Sequence, residues 1–287
     1  IMRESGAILV EVGTTNRTRL SDYEQAINEN TAAILKVHPS NYVIEGFTES
    51  VEISKLVKLA KARGLYCLHD WGSGTFYQFE QKALQNYPTV QQEIQKRADI
   101  ICFSADKLLG AVQGGIILGS KAAIEKMRKH PLYRVLRADK VTLGLLESVL
   151  EACFEPESLK EKVTSIRLLE RTPEEIRAQA TQMLDKFFPE SDSGWSVRIE
   201  ETDSRTGGGA LPELPLPSSA MVISHPRYKA QEIQNWLRSQ SIPVIVRVQT
   251  ESVWFDFRTV FEEDEKVLSE TLRLMLKSSI LEQAEET

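Results

Sequence analysis

The first half of the chain alternates between short apolar runs and stretches in which apolar residues recur at helical spacing. Residues 51–63 show the i, i+3, i+4, i+7 spacing of an amphipathic helix, with apolar side chains at Ile53, Leu56, Val57 and Ala60. Gly64 is expected to end that helix. Further helices are predicted at 20–28, 120–131 and 139–153, and strands at 7–12, 31–37, 65–69, 99–104 and 114–119. Because these strands are apolar throughout and helices separate them, the pattern predicts a parallel sheet covered on both faces.

The pattern changes near Glu155. Thr172 and Pro173 form a typical helix start, with the threonine as the cap and the proline in the first turn. Apolar runs predict strands at 196–199, 220–223, 244–248 and 253–257, and helical spacing predicts helices at 229–240 and 262–282. The sequence therefore predicts an α/β fold with a mostly parallel sheet in a large domain, 1–155, followed by a smaller α+β domain, 156–287.

Composition indicates an ordinary globular protein, with 41% hydrophobic and 26% charged residues. No apolar run is long enough to cross a bilayer and no secretory signal is visible, so we expect a cytoplasmic protein without a membrane partner. Cys67, Cys102 and Cys153 are scattered, which favours free thiols over disulfides or a metal site. The net charge of -6 argues against a surface that binds nucleic acid throughout, but residues 121–140 carry a local excess of Lys and Arg where an anion can dock.

The candidate chemistry starts at residues 104–107, Ser-Ala-Asp-Lys, which follow an apolar strand. A lysine at the carboxyl end of a strand, in a semi-buried crevice, can lose its proton and form a Schiff base with an aldehyde. Pyridoxal phosphate needs such a lysine, and it also needs a carboxylate facing its pyridine nitrogen. Lys107 and Asp70, 37 residues upstream on another predicted strand, fit these two roles. Spacing alone leaves open a surface lysine and an aspartate that caps a turn.

Several longer motifs follow one another along the chain. Residues 70–74 read Asp-Trp-Gly-Ser-Gly, and residues 103–110 read Phe-Ser-Ala-Asp-Lys-Leu-Leu-Gly. Further blocks lie at 11–18, 37–42, 46–49, 131–140, 207–212 and 256–260. In this order the blocks resemble the bacterial selenocysteine synthases, the L-seryl-tRNA(Sec) selenium transferases, although Ala105 stands where that family usually has glycine. The likeness runs from the first residues to about Met275, which makes it a specific signal.

The resemblance implies the aspartate-aminotransferase-like fold of pyridoxal phosphate enzymes. It also implies that this chain lacks the family's first portion, which contains the main tRNA-recognising domain and part of the pocket for the cofactor phosphate. Lys107 is then expected to hold the cofactor and to act as the base for the α-proton, while Asp70 holds the ring nitrogen. The expected substrate is seryl-tRNA(Sec), which loses its β-hydroxyl as water and receives selenium from selenophosphate. A ring-like homo-oligomer of dimers is expected as well.

The resemblance also points to residues around the lysine. Asp106, Arg134 and Arg137 are associated in the family with the selenophosphate anion. Arginines three apart share one face if helical, and two guanidinium forks suit such an anion, although a solvated face is the alternative. Asp106 has the alternative of simply positioning Lys107. The residues expected to contact the cofactor are His38, Ser40, Asn41 and Ser104, and a packed loop histidine is the alternative for the first of them.

Other interpretations remain open at this point. One interpretation of Arg258 is that it binds substrate or cofactor, and the alternative is a structural salt bridge. For the glycines at 207–209, the alternatives are a close approach of the backbone to the site and a flexible loop. A second enzymatic hypothesis is a pyridoxal-phosphate-dependent β-eliminating lyase or dehydratase that acts on a free amino acid or amino-sugar acid. A third is an inactive, truncated homologue that serves only in assembly.

Overall fold

The computed structural model describes residues 3–39, 44–188, 194–206, 211 and 214–277. The chain divides into two compact units: Ile1–Arg167 with Thr206–Leu214, and Leu168–Arg205 with Pro215–Thr287. The domain boundary expected at residue 155 stays a prediction.

The helices of the first unit follow the sequence pattern where that pattern is amphipathic. They are α1 (Leu20–Ala26), α2 (Ile53–Ala62), α3 (Val90–Gln95), α4 (Lys121–Arg128), α5 (Pro131–Val135), α6 (Lys140–Ala152), α7 (Pro156–Lys162) and α8 (Thr164–Glu170), the last of which continues into the second unit. Ser120 caps α4 as predicted, and its hydroxyl accepts the amide of Ala123. Helices α3, α5, α7 and α8 were not predicted, because each is only five to seven residues long and shows too few turns for a clear period.

The strands of the first unit are β1 (Ala33–Val37), β2 (Tyr66–Ser73), β3 (Ile100–Ser104) and β4 (Gly115–Gly119). Within the described residues they form one sheet in the order β1-β2-β3-β4. The first three strands are parallel and β4 runs antiparallel to β3, so the prediction of a mostly parallel sheet is confirmed. The reason for the direction of β4 is the connection: residues 105–114 contain no helix, and a parallel return needs a crossover of a dozen or more residues.

The two faces of this sheet differ in burial. On one face Ile34, Cys67, His69 and Ile101 are buried, and α2 packs there with Leu56 fully inaccessible to solvent. On the other, which we call the open face, the side chains are half-buried or exposed: Leu35, Val37, Leu68, Asp70, Cys102 and Ile117. Register pairs these residues across the strands, which puts them on the same side. The predicted cover on both faces is therefore absent from the open face in the part of the chain that the structure describes.

Residues 7–12 do not form the first predicted strand. They have no regular secondary structure, and Ile8 and Val10 are 91% and 60% exposed. An apolar run becomes a strand only when a neighbouring strand pairs its backbone groups, and residues 7–12 have no ladder partner among the described residues. The prediction is wrong here.

The second unit is built on an antiparallel sheet. Its elements are α9 (Pro173–Phe187), β5 (Ser196–Ser204), β6 (Leu216–Ser224), α10 (Ala230–Arg238), β7 (Arg247–Gln249), β8 (Ser252–Asp256), a 3-10 helix (Phe257–Thr259) and α11 (Glu262–Lys277). The sheet order is β5-β6-β8-β7 among the described residues. Its core contains Met221, Ile233, Phe255 and Leu272, contributed by both strands and helices. Thr172 caps α9 through a reciprocal contact with Glu175, as its sequence indicated.

Two compositional expectations concern cysteines and membranes. Cys67, Cys102 and Cys153 are free thiols, as predicted. None of the helices in the described ranges combines the length and the apolar character that a bilayer span requires.

Candidate active site

Asp70 lies near the carboxyl end of β2, on the open face. Register pairs it with Val37, the last residue of β1, and with Cys102 of β3. Directly after Asp70 the ladder between β2 and β3 shifts at Trp71, and Gly72 adopts a left-handed conformation with φ of 76°. Such a bulge bends the strand and re-aims neighbouring side chains. Since Trp71 is buried, with 3% of its surface exposed, its bulk is kept in the core.

Lys107 lies three residues beyond β3 in a turn whose backbone is held at several points. The amide of Ala105 donates to the carbonyl of Gly114 at 2.8 Å, and the amide of Gly110 donates to the carbonyl of Lys107 at 2.9 Å. Ala105 and Leu108, on either side of the lysine, are 1% and 2% exposed, whereas Lys107 itself is half-buried. Buried neighbours fix the backbone at this position, so the amine is presented from a rigid turn.

Gly110 closes the lysine turn in a conformation that favours glycine. Its φ is 69°, and a Cβ placed there would overlap the side chains of Ser165 and Val163. Gly64 has nearly the same φ, 68°, but open space around the added atom. At either position, substitution by alanine lowers the free energy of unfolding by about 1 kcal/mol, because alanine disfavours the left-handed backbone conformation.

We expect Gly110→Ala to lower the free energy of unfolding by about 1–3 kcal/mol more than Gly64→Ala does, because only Gly110→Ala overpacks its surroundings. Urea unfolding of the two variants measures this difference. Equal losses in both would mean that the lysine turn is not packed as described.

The residues expected to contact the cofactor are only partly described. His38 follows β1, and its amide donates to the carbonyl of Asp70 at 2.8 Å, so the histidine is next to the aspartate. Ser104 ends β3 and pairs with Ser73 and Gly115. Ser40 and Asn41 lie outside the described residues.

The structure separates the two arginines that were expected to share a helical face. Arg134 lies in α5, but Arg137 lies beyond the end of that helix, so the helical condition is not met. Both are exposed, as is Asp106. In the described ranges, no ion pair joins Asp106 to Lys107 or to either arginine.

Cys102 is a neighbour of Asp70 that the sequence did not assign to the site. Burial first, and then the charge of Asp70 and a hydrogen bond with its carboxylate, raise the pKa of the Cys102 thiol to about 11. The thiol is therefore protonated at neutral pH. The sequence placed both residues on strands, but only the register of β2 against β3 brings them together.

A buried ion pair lies on the opposite face of β2 from Asp70. Nδ1 of His69 is 3.4 Å from Oε2 of Glu93 in α3, and Nζ of Lys96 is 2.5 Å from Oε1 of the same carboxylate. His69 and Glu93 are 6% and 2% exposed. Burial by itself raises the pKa of Glu93, but the neighbouring His69 and the hydrogen bond from Lys96 outweigh it and leave the pKa below its ordinary value of 4.5. The pair connects the strand that carries Asp70 to α3.

Arg258 belongs to the core of the second unit. It is 4% exposed, and its guanidinium donates to the carbonyls of Leu168, Arg171 and Pro217. Arg171 donates in return to the carbonyl of Arg258 at 2.9 Å. We call these two residues the arginine clasp. The geometry favours a structural role for Arg258, through carbonyl oxygens instead of the expected salt bridge. The glycines at 207–209 lie outside the described residues.

The site thus holds a carboxylate on β2 and an amine in the turn that follows the neighbouring parallel strand, β3. In open parallel sheets ligands bind at the carboxyl ends of the strands. An amine that attaches an aldehyde and a carboxylate that faces a ring nitrogen are the groups pyridoxal phosphate requires from a protein. The half-buried positions of Lys107 and Asp70 leave both accessible, so the donor set fits this cofactor.

Comparison of the sequence with known proteins gives one family and several similar relatives. A family model described as L-seryl-tRNA selenium transferase matches residues 1–261. The L-seryl-tRNA(Sec) selenium transferase of Aquifex aeolicus (strain VF5) is 41% identical over 277 residues, covering 96% of this chain and 60% of the relative. The protein of the same name from Pasteurella multocida (strain Pm70) is 42% identical over 265 residues, covering 92% of this chain and 58% of the relative. The chain therefore spans about three fifths of the length of these relatives.

Comparison with solved structures identifies the fold. The chain resembles a structure of D-glucosaminate-6-phosphate ammonia-lyase with a TM-score of 0.59 and 21% sequence identity, covering 96% of this chain and 66% of that one. The fold is that of the pyridoxal-phosphate-dependent, aspartate-aminotransferase-like enzymes, as predicted.

Proposed function

Because this chain belongs to the L-seryl-tRNA selenium transferase family, we propose that it forms the cofactor-binding part of an enzyme that converts seryl-tRNA(Sec) into selenocysteinyl-tRNA(Sec). Pyridoxal phosphate is the cofactor and selenophosphate the selenium donor. The observation that carries the proposal is the position of Asp70 near the carboxyl end of β2 and of Lys107 in the turn after the adjacent parallel strand β3, within two motifs of that family. The proposal concerns the whole enzyme, since the chain spans only 60% of the Aquifex relative.

In this proposal Lys107 and Asp70 each have a specific role toward the cofactor. Nζ of Lys107 binds the aldehyde and, when released, moves the proton at the substrate α-carbon. The carboxylate of Asp70 holds a proton on the ring nitrogen. Bound pyridoxal phosphate supplies an electron-accepting ring. The rigid backbone between Ala105 and Leu108 keeps the amine in place while it changes partners.

The remaining site residues orient the ligands. We assign contacts with the cofactor to His38, Ser40, Asn41 and Ser104, and the backbone contact between His38 and Asp70 supports the first of these. We assign Asp106, Arg134 and Arg137 to the selenophosphate anion or, for Asp106, to the position of Lys107. The exposure of both arginines is compatible with an incoming anion.

Assembly into a homo-oligomer is part of the proposal. The segment around α5 exposes large apolar side chains: Leu132, Tyr133, Val135 and Leu136 are 51–78% exposed. Contiguous exposed apolar surface marks an interaction site, which supports burial of this segment in the assembled enzyme. The cytoplasmic location stays a prediction.

The cofactor part of the proposal is tested by incubating the purified chain with pyridoxal phosphate and reducing the mixture with borohydride. Peptide mass spectrometry then locates the pyridoxyl group. We expect the label to concentrate on Lys107. Lys121, whose side chain is 90% exposed, reports non-specific labelling in the same sample. Equal labelling of the two lysines contradicts the cofactor proposal.

The substrate is tested separately with charged tRNA and selenophosphate. Formation of selenocysteinyl-tRNA(Sec) that depends on both reactants supports the transferase. If free serine analogues turn over and the charged tRNA does not, the protein is a lyase that acts on amino acids. Labelling of Lys107 without turnover of either substrate favours a role in assembly.

A further inference from the structure

One row of side chains crosses the open face at the level of Asp70. Register places Val37 of β1, Asp70 of β2, Cys102 of β3 and Ile117 of β4 side by side, which we call the Asp70 row. Neighbouring strands are about 4.8 Å apart, so paired side chains on one face are in reach of each other. Asp70 therefore has an apolar neighbour on one side and a thiol on the other.

The thiol is the polar neighbour of Asp70 within this row. A thiol carries one proton that it can donate, whereas an ionised carboxylate only accepts. Register places the Asp70 carboxylate beside the Cys102 thiol on the open face, and burial together with the nearby charge keeps the thiol protonated. Cys102 is thus a donor and Asp70 an acceptor at neutral pH.

This contact constrains the carboxylate. Val37 and Ile117, at the two ends of the row, are 49% and 45% exposed and have no polar side-chain atom to offer. A hydrogen bond to one oxygen of Asp70 fixes the rotation of the carboxylate and leaves the second oxygen for a ligand above the open face.

We propose that Cys102 is a positioning residue, whose thiol donates a hydrogen bond to the carboxylate of Asp70 and orients it toward the ring nitrogen of the cofactor. The role toward the cofactor rests on the function proposed above for Asp70. The placement of the two side chains next to each other does not, because the register of β2 against β3 sets it.

The first test uses the chain without cofactor. Wild type and Asp70→Asn are treated with iodoacetamide at pH 8.5, and alkylation is followed for each cysteine peptide by mass spectrometry. We expect Cys102 to react faster in Asp70→Asn, by about tenfold for each unit by which its pKa falls, because the neighbouring charge is gone. Cys153, which is also half-buried but lies outside the Asp70 row, is the internal control and should keep its rate.

The second test uses the cofactor. Borohydride labelling of Lys107 at increasing pyridoxal phosphate concentration gives a binding curve for Cys102→Ala, Cys102→Ser and the control Cys153→Ala. We expect the half-saturating concentration to rise several-fold in Cys102→Ala and to return toward wild type in Cys102→Ser, since serine restores a donor. Cys153→Ala should match the wild type.

The outcomes separate this proposal from the function on which it rests. Equal alkylation of Cys102 in wild type and Asp70→Asn overturns it, whatever the cofactor does. A binding curve for Cys102→Ala that matches the wild type also overturns it. Absence of label from Lys107 in the wild type contradicts the proposed function instead, and the alkylation rates then still decide whether the two side chains are coupled.

Discussion

Lys107→Ala should abolish the borohydride-stable attachment of pyridoxal phosphate to the turn after β3. It should also lower the rate of selenocysteinyl-tRNA(Sec) formation by at least about 10²–10⁴-fold. This is the factor that a positioned proton-transfer group contributes to a reaction rate. The physical reason is that one amine serves both as the attachment point and as the base, so its loss removes two functions. Label incorporation and turnover, measured on the same preparation, check the two effects together.

The control for this variant is Lys121→Ala, which removes an exposed lysine at the start of α4. It should leave both label and turnover at the wild-type level. The Lys107 turn is anchored by Ala105 and Leu108, not by the lysine side chain, so the fold should survive the change. Full turnover in Lys107→Ala would exclude this residue as the cofactor lysine.

Glu93→Ala should lower the free energy of unfolding by about 1.5–3 kcal/mol at neutral pH, the usual contribution of a hydrogen bond to a charged group, because the partner Lys96 is partly exposed. The carboxylate is 2% exposed, accepts a hydrogen bond from Lys96 and lies beside His69, so its removal leaves the ammonium group without its acceptor and a gap next to the buried ring. Equilibrium unfolding in urea measures the loss. Glu93→Gln is the matched control, because it keeps the shape and one acceptor oxygen and should lose less.

The same residue predicts how stability depends on pH. The pKa of Glu93 is lower in the folded chain than its ordinary value of 4.5, so the unfolded chain takes up its proton first. The stabilisation is therefore complete above pH 4.5 and is lost as the pH falls through the folded-state value. Glu93→Gln should lack this part of the acid transition. If the free energy of unfolding falls identically with acid in wild type and Glu93→Gln, the ion pair does not contribute to stability.

The features that were predicted correctly from the sequence depend on interactions between residues close together in the chain. The spacing of apolar residues at 51–63 became α2, with Leu56 fully buried, and Gly64 ended it at a positive φ. Both properties depend on residues within a few positions of one another. For the same reason Asp70 and Lys107 were placed near strand ends before their strands were known to be neighbours.

Non-local pairing accounts for what the sequence missed. Residues 7–12 have the composition of a strand, but composition does not supply a partner for the backbone. Cys102 meets Asp70 only through the register of β2 and β3, and Glu93 is buried only because the short helix α3 packs close to His69. The pairs Cys102 and Asp70, and Glu93 and His69, are separated by 24 or more positions in the sequence. Residues 7–12 have no partner strand among the described residues.

In the second unit, the arginine clasp links segments of the chain through hydrogen bonds that acid does not break. Its main-chain acceptors are the carbonyls of residues 168, 171, 217, 257, 258 and 260, which carry no ionisable proton at any pH where proteins are studied. The guanidinium groups stay charged under the same conditions. When Glu93 takes up a proton below pH 4.5 and the packing around α3 weakens, the segments around Arg171 and Arg258 should still be held together. As the pH falls, amide exchange should therefore become faster around α3 before it becomes faster around these two arginines.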